Sequence, residues 1–384
     1  MKMLESIFSA EDMFYCSVPV PPINAHKDPD YTFDFTAAQQ ADYGQSQTHP
    51  SIIYVPNGWN GHKYWLASTP YPKGMGVFEN PCIYYGDEDN DGNPPRIFTP
   101  ISGVSDGIYT IINNPVVKVK SNSQINSDPD LYFDAEGNGG NGIMYLLSRF
   151  NSVVPQRAYI QKSISGQAWT KRDDNAYMEG LSQPSMIKVG EDVLILGLQV
   201  ADYKYNPSSG YINANSRGLV KIWSGNPENV ASFTQNKGYL YFNGKLAIGP
   251  YHADFFKDES TGKYYMIAAC TDHELPAPYS NSSRYSIFLA ESDDGYNYYL
   301  FARPLLAPCS KCSNYYRPTA FIRQSDRTLV VYWSTVAGII NEADQFPNGA
   351  SDIPVDNRTI GLSYGNFDVI LAQLKKDFVT NRMD

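Results

Sequence analysis

Five copies of one short pattern run along this chain, and no other feature limits its possible folds as strongly. Each copy opens on a polar residue, usually followed by proline, and continues into an apolar run, a turn and a strand-like segment rich in Tyr, Trp or aliphatic residues. The copies are His49-Pro50-Ser51-Ile52-Ile53, Asp128-Pro129-Asp130-Leu131-Tyr132, Gln183-Pro184-Ser185-Met186-Ile187, His252-Ala253-Asp254-Phe255-Phe256 and Arg317-Pro318-Thr319-Ala320-Phe321, spaced by 79, 55, 69 and 65 residues. A second hairpin follows most copies, as in Tyr285–Ala290 before Ser292-Asp293-Asp294-Gly295, or Ala158-Tyr159-Ile160 before Ser165-Gly166. Each unit therefore carries about four strands. Repeated four-stranded units predict radial packing around an axis, because closure hides strand edges that separate small sheets would expose. The expected fold is all-β: a five-bladed β-propeller over 48–384, its blades starting near residues 49, 128, 183, 252 and 317. A short arm over 1–47 serves attachment or oligomer contact. A β-sandwich with similar hairpins is the alternative.

Composition agrees with a large β core. Hydrophobic residues make up 42% and charged residues 18%, far from the range of disordered chains. The 30 tyrosines equal all Lys plus Arg, and 18 Phe and 5 Trp add to a β-prone aromatic content. One short helix is predicted around Ala37–Tyr43. With 30 basic against 40 acidic side chains the net charge is −10, which argues against a nucleic-acid partner, since phosphate binding needs a basic face. No run of 18 apolar residues suggests a membrane helix. The opening segment, with Glu5, Glu11 and Asp12, lacks the basic and apolar regions of a signal peptide, so synthesis without a leader is expected. The five cysteines are odd in number and scattered, unlike a disulfide framework. Cys309-Ser-Lys-Cys312 has the spacing of half a zinc site without a second pair and reads as a loop with free thiols.

In a propeller the innermost strands start at one face, so the first residues of all five copies converge there. That places His49, Asp128, Gln183, His252 and Arg317 around one mouth, with Asp130 and Asp254 close behind. A polar residue before proline is also an ordinary way to open a strand, because the missing N–H costs least at a first position. Five ionisable or amide side chains at the same place nevertheless mark a ligand-binding ring.

The five-unit plan, the polar-Pro openings and the Ser-Asp-Asp-Gly hairpin resemble the five-bladed propellers of glycoside hydrolase family 43. The first unit, His49-Pro50-Ser51-Ile52-Ile53-Tyr54…Gly58-Trp59-Asn60-Gly61…Thr69-Pro70-Tyr71-Pro72…Glu79-Asn80-Pro81, is similar to the propeller domain of bacteriophage tail receptor-binding proteins. The family 43 resemblance implies an inverting reaction with an Asp base on the first blade, a second Asp that tunes it and a Glu acid, with the two working carboxyls roughly 6.5–9.5 Å apart. Here His49 stands at the base position, Asp128 matches the second aspartate, and Gln183 precedes Pro184 where no carboxylate is found. Glu79 and Glu179 are the remaining candidates for the acid, with His49 assisting.

Two further features complete the reading. Asp87-Glu88-Asp89-Asn90-Asp91-Gly92 matches the first half of a calcium loop, but Phe98 occupies the place of the bidentate Glu, so an acidic hairpin turn is expected and Asp87, Asp89 and Asp91 are only a weak calcium site. No other metal or cofactor is expected. Tyr71, Tyr84, Tyr85, Tyr203, Tyr205, Tyr279, Tyr299, Tyr315 and Tyr316 fall in predicted loops, where they either stack on sugars or pack between blades.

Taken together, these features lead to the expectation of a phage tail protein in the virion. It would bind a cell-surface polysaccharide through His49, Glu79, Asp128, Asp130, Gln183, His252, Asp254 and Arg317, alongside other tail proteins and as a homo-oligomer. The alternatives are an active inverting glycosidase working through Asp128, Glu79, Glu179 and His49, and a purely structural tail component.

Overall fold

The computed structural model describes residues 5–380 apart from 103, 106–109, 112–113, 154, 200–219, 235–240, 243–244, 247–251, 271–284, 310–311, 313 and 336–357. Five antiparallel sheets carry the chain, one per repeat. From the inside outwards, blade one is built from Gln47–Trp59, His62–Pro70, Cys82–Gly86 and Thr99–Pro100, and blade two from Asn126–Asp134, Ile143–Phe150, Arg157–Ser163 and Met178–Glu179. Blade three comprises Leu181–Val189, Asp192–Gln199, Val220–Asn226 and Asn229–Thr234. Blade four comprises His252–Lys257, Tyr264–Cys270, Ser286–Ser292 and Asn297–Leu300, with the small hairpin Tyr241–Phe242/Lys245–Leu246 added to its outer edge. Blade five is made of Tyr315–Arg323, Thr328–Thr335 and Ile360–Asn366, and its fourth strand comes from the other end of the chain: Phe14–Tyr15 pairs antiparallel with Gly361–Leu362. The expected propeller with four-stranded blades is the fold observed.

The segment expected as an arm lies against this framework. Phe8, Met13 and Tyr15 join the core beside blade five, and Phe35 packs on Val77 and Phe78 near blade one. The predicted short helix is present as Ala37–Asp42, started by a capping box in which the Thr36 hydroxyl accepts from Gln39 N while the Gln39 side chain accepts from Thr36 N. No helix among the described residues is long and apolar enough to cross a membrane.

Besides the small cluster of Phe35, Val77, Phe78 and Val119, the described hydrophobic side chains form five cores, one in each space between neighbouring blades. Trp65, Leu131 and Leu146 fill the first, Tyr145, Met186 and Trp223 the second, and Ile187, Met266 and Tyr298 the third. Tyr265, Leu289 and Trp333 fill the fourth, and Ile52, Tyr84 and Tyr332 close the circle. The abundant tyrosine thus has a packing role: Tyr64, Tyr84, Tyr145, Tyr265, Tyr298, Tyr315 and Tyr332 are all buried. Tyr203, Tyr205 and Tyr279 lie outside the described residues. Gly166 shows how close the blades approach, for its φ is +71° and a Cβ there would sit 2.1 Å from the Trp65 ring.

At the axis a second, polar layer joins the blades. It lies two residues after each ring position, at Ser51, Asp130, Ser185, Asp254 and Thr319. Ser51 Oγ donates to Asp130 Oδ1 (3.2 Å), and Met186 N donates to Asp130 Oδ2 (2.7 Å). Ser185 Oγ and Thr319 Oγ1 donate to the two oxygens of Asp254, and Ile52 N returns to Thr319 Oγ1 (3.1 Å). Every blade is thereby bonded to both neighbours. Beyond this layer, at the far ends of the inner strands, a cavity of about 690 Å³ is lined by Tyr54, Phe133, Lys188, Lys257 and Phe321.

A rim contact repeats the theme. Arg327, in the first turn of blade five, forks onto Asp258 of blade four (2.7 and 3.0 Å) and also reaches Asp368 of the C-terminal helix Phe367–Thr380. Burial alone raises the Asp258 carboxyl, but hydrogen bonds from Arg327, Ser260 and Thr261 outweigh it and hold the group below its usual range.

Two outcomes follow for stability. Asp254→Ala leaves the Ser185, Thr319, Phe255 N–H and Ala320 N–H donors without their acceptor, and denaturant melts should show a loss on the order of 3–5 kcal/mol; wild-type stability in that variant would remove the axial layer as a structural element. Asp258 has a depressed folded-state pKa, so its stabilisation is complete above the unfolded value of about 3.9 and drains away as pH falls below it. Asp258→Asn should therefore cost about 2–3 kcal/mol at pH 7, discounted because Arg327 is partly exposed, with the gap to wild type closing below about pH 3 in melts run across pH.

Candidate functional site

The ring residues owe their placement to a local irregularity in the inner strands. Pairing with the second strand shifts register between Thr48 and Ser51, Ser127 and Asp130, Ser182 and Ser185, and Tyr315 and Pro318. His49, Asp128 and Gln183 adopt positive φ (54°, 49° and 52°), a region in which residues other than glycine are uncommon. Such backbone costs roughly 1–3 kcal/mol per residue and concentrates at functional sites. The proline after each of these residues gives up an N–H that the interrupted ladder does not use. Blade four differs, because His252 pairs regularly with Ala269 and is followed by alanine.

Three of the ring side chains meet. His49 Nε2 lies 3.2 Å from Asp128 Oδ1, and His252 Nδ1 lies 3.9 Å from the same oxygen. Their ligand atoms all fall within 4.8 Å of one another, and among the described residues this is the one group of three or more His, Cys, Asp or Glu so arranged. Thr69 Oγ1, 2.9 Å from His49 Nδ1, fixes the imidazole and leaves its Nε2 facing inward. Burial drives both histidines well below their ordinary pKa, and the nearby arginines push the same way, so both rings are neutral. For Asp128 burial acts upwards, but the charges of Arg149, Arg317 and Arg358 oppose it, and the group is held below its usual range. Arg149 Nε sits 2.7 Å from Asp128 Oδ2 and Arg317 Nη1 3.8 Å from Oδ1.

A donor set of two neutral imidazoles and one carboxylate, fully buried and converging on one point, fits a divalent cation. The Thr69 hydroxyl on the far nitrogen of His49 supplies the outer hydrogen bond that orients a metal-binding imidazole.

Glu79 joins the site from a loop. It follows the turn Gly76–Phe78, its carbonyl accepts from Asn126 N (3.0 Å), and Asn80 is clamped by Asn126 Nδ2 (2.9 Å) and by Val77 O. The Glu79 carboxyl is pushed up to about 7, chiefly by burial and then by the charge of Asp128, with Arg149, Arg358 and a Ser127 hydrogen bond opposing. Tyr316 packs beside both histidines, 5.3 Å from the His49 ring and 4.5 Å from the His252 ring. Arg358 lies 4.4 Å from the Tyr316 ring and 4.3 Å from that of Tyr71.

The other sequence candidates are distributed as follows. Gln183 is buried, and its Oε1 has no hydrogen-bond partner among the described residues. Asp130 and Asp254 belong to the axial layer, where burial raises both and the Asp254 charge raises Asp130 further. Arg317 spans the two levels, meeting Asp130 Oδ1 at 3.2 Å and Pro184 O at 3.1 Å. Glu179 lies away from the axis, on the outermost strand of blade two, half exposed and 3.9 Å from Arg157. Asp87 accepts from His62 and Lys63 N, and Asp89 accepts from Asp91 N and Asn93, so both carboxylates are used within the hairpin turn. The cysteines are free; the Cys309–Cys312 turn is closed by Cys309 N donating to Cys312 O, and burial pushes the Cys312 thiol up to about 12. Sequence reasoning missed Thr69, Arg149 and Arg358. It singled out Tyr316 as one of the tyrosines able to stack on sugars or pack between blades, without placing it beside the histidines.

No family model matches the chain. It is similar to the A type blood N-acetyl-α-D-galactosamine deacetylase of Flavonifractor plautii, at 21% identity over 365 residues covering 81% of this chain, and spans about 43% of the length of that curated relative. Among solved structures it is similar to an N-acetylgalactosamine deacetylase from F. plautii in complex with blood group B trisaccharide, with TM-score 0.66, 17% identity, and coverage of 95% of this chain and 97% of that one. It is also similar to a GH43_1 enzyme from Xanthomonas citri complexed with xylotriose, with TM-score 0.51, 9% identity, and coverage of 83% and 86%. These likenesses support the family 43-like five-bladed propeller and correct the expectation of a phage tail receptor-binding protein. Relatives named as carbohydrate-processing enzymes stand where tail proteins were expected, and the virion partners and host-attachment role fall with that reading. The stretch His49–Pro81 that suggested it is the ordinary strand–turn–strand scaffold of blade one, with Trp59 and Trp65 buried in the core between blades one and two.

Proposed function

We propose that this chain is a carbohydrate deacetylase that hydrolyses the N-acetyl group of an amino sugar, with His49, Asp128 and His252 holding a divalent metal ion. The observation that carries the reading is the neutral His–carboxylate–His cradle at the mouth of the propeller. It stands where a family 43 glycosidase needs an aspartate base, and Gln183 stands where that chemistry needs an acid. The relatives named as deacetylases support the same substrate class.

A cation held there supplies a Lewis acid that polarises the acetamide carbonyl and acidifies water. The remaining roles belong to the protein. Arg149 and Arg317 keep Asp128 anionic in a buried setting, where an isolated carboxylate would take up a proton. Glu79, with its carboxyl raised to about 7, is matched to proton transfer near neutrality. As a carboxylate it accepts a proton from the attacking water; as an acid it returns that proton to the amine nitrogen when the C–N bond breaks, giving acetate and the free amino sugar. Tyr316 walls the cradle on the side of Arg358 and limits access of bulk water.

Acetate release from N-acetylgalactosamine-terminated oligosaccharides tests the reading. Treatment with a chelator should abolish release, and added Zn²⁺ or Mn²⁺ should restore it; His49→Ala should stay inactive under all these conditions. Activity that survives thorough chelation excludes the metal. Glu79→Gln should retain the oligosaccharide on an affinity matrix while losing about 10²–10⁴-fold in turnover. New reducing ends without acetate would identify a glycoside hydrolase instead.

A further inference from the structure

Arg358 forms no ion pair within 4.0 Å among the described residues, and the Glu79 and Asp128 charges act on it only from further away. Its direct contacts are with uncharged groups: Nη1 donates to Thr48 Oγ1 at 3.5 Å, the side chain hydrogen-bonds Tyr316, and its Cζ lies 4.3 Å from the Tyr71 ring centroid and 4.4 Å from that of Tyr316. Arg149 and Arg317, by contrast, each meet Asp128 within 4.0 Å. With no carboxylate at ion-pair distance, the guanidinium at this mouth keeps the capacity to take up an anionic group that arrives with the ligand.

The backbone holds Arg358 in place for that purpose. Its N–H donates to Ser46 Oγ (2.9 Å), and its carbonyl accepts from Gln47 N (3.0 Å) at the start of blade one, so the residue bridges blades five and one beside the cradle. Two tyrosine rings lie at cation–π distance from the guanidinium, and of its five N–H donors only those bonded to Thr48 and Tyr316 are taken among the described residues. The N–H edge is a planar fork, which suits two oxygens in a plane better than the single oxygen of a developing oxyanion. Because Tyr316 also packs on His49 and His252, the guanidinium stands one ring away from the cradle.

We infer that Tyr71, Arg358 and Tyr316 form a subsite for the carboxylate of a uronic acid, so that the chain acts on acidic glycans in which a uronate adjoins the N-acetylated sugar. This deepens the deacetylase reading and rests on it for the position of the acetamide. The carboxylate accepts two hydrogen bonds from the Arg358 edge while the acetamide of the adjoining sugar lies over the cradle.

Calorimetric titration with two disaccharides tests the subsite: glucuronic acid linked β1,3 to N-acetylgalactosamine, and its neutral counterpart with galactose in place of the uronic acid. The full chain should bind the acidic one at least about tenfold more tightly, as expected for a charge-assisted bidentate contact. Arg358→Gln should erase the difference, and Arg358→Lys, which keeps the charge but not the fork, should leave an intermediate preference. Equal affinity of the wild-type chain for both ligands overturns the subsite, and this comparison needs no variant to fold. It is overturned equally if Arg358→Gln weakens both ligands alike, which would assign the guanidinium to the acetamide, or if a sulfated N-acetylgalactosamine without uronate binds as tightly as the acidic disaccharide. A preference for the uronate without acetate release from either ligand would leave the subsite standing and remove the deacetylase reading.

Discussion

Two buried carboxylates, Asp130 and Asp254, carry the closure of this propeller. Hydrophobic packing fills the wedge between each pair of blades, but it is non-directional and does not by itself fix how far one blade slides along the next. The axial hydrogen bonds do fix it, since each acceptor takes donors from the blades on either side. Removing water from these groups makes every bond in the layer stronger and every missing bond costly. The ring residues lie two positions upstream on the same strands, so the layer that locks the blades also sets the spacing of the cradle.

The cradle applies the same low dielectric to its own charges. His49 and His252 are neutral because burial and the surrounding arginines both oppose protonation, while Asp128 stays charged because those arginines favour its anion. One positive field therefore prepares three different side chains in the protonation states that metal binding requires. Its cost is visible in the backbone, where His49, Asp128 and Gln183 all occupy a left-handed conformation that the bulged inner strands enforce.

Much of this was legible in the amino-acid order. The repeat openings located all five inner strands to within two residues, four of them because the residue before a bulge and the proline after it are chemically conspicuous. His49, Asp128, His252 and Arg317 could be grouped since radial symmetry alone brings them together. The grouping did not reveal the His–carboxylate–His cradle, because each of its residues comes from a different blade and no local spacing motif links them. Arg149 and Thr69 stayed hidden for a related reason: both sit near the mouth-side ends of second strands, where nothing in the sequence marks which residue lies at the axis. Glu179 stood only three residues before Ser182 and still falls at the periphery, since a chain passing from an outermost to an innermost strand crosses the whole blade in a few residues. The family 43-like architecture was legible from the repeats, whereas the tail-protein reading leaned on one scaffold stretch whose residues serve packing.

The pairing of Phe14–Tyr15 with Gly361–Leu362 has a kinetic meaning. The strand Phe14–Tyr15 finds its partner only after some three hundred and forty further residues have been added. Blade five therefore stays open, with an unpaired edge, until that much more of the chain has been made. Folding dominated by such distant pairings is slow and exposes aggregation-prone edges while it waits, so a nascent chain of this design gains from a chaperone that shields the gap until the final sheet is complete.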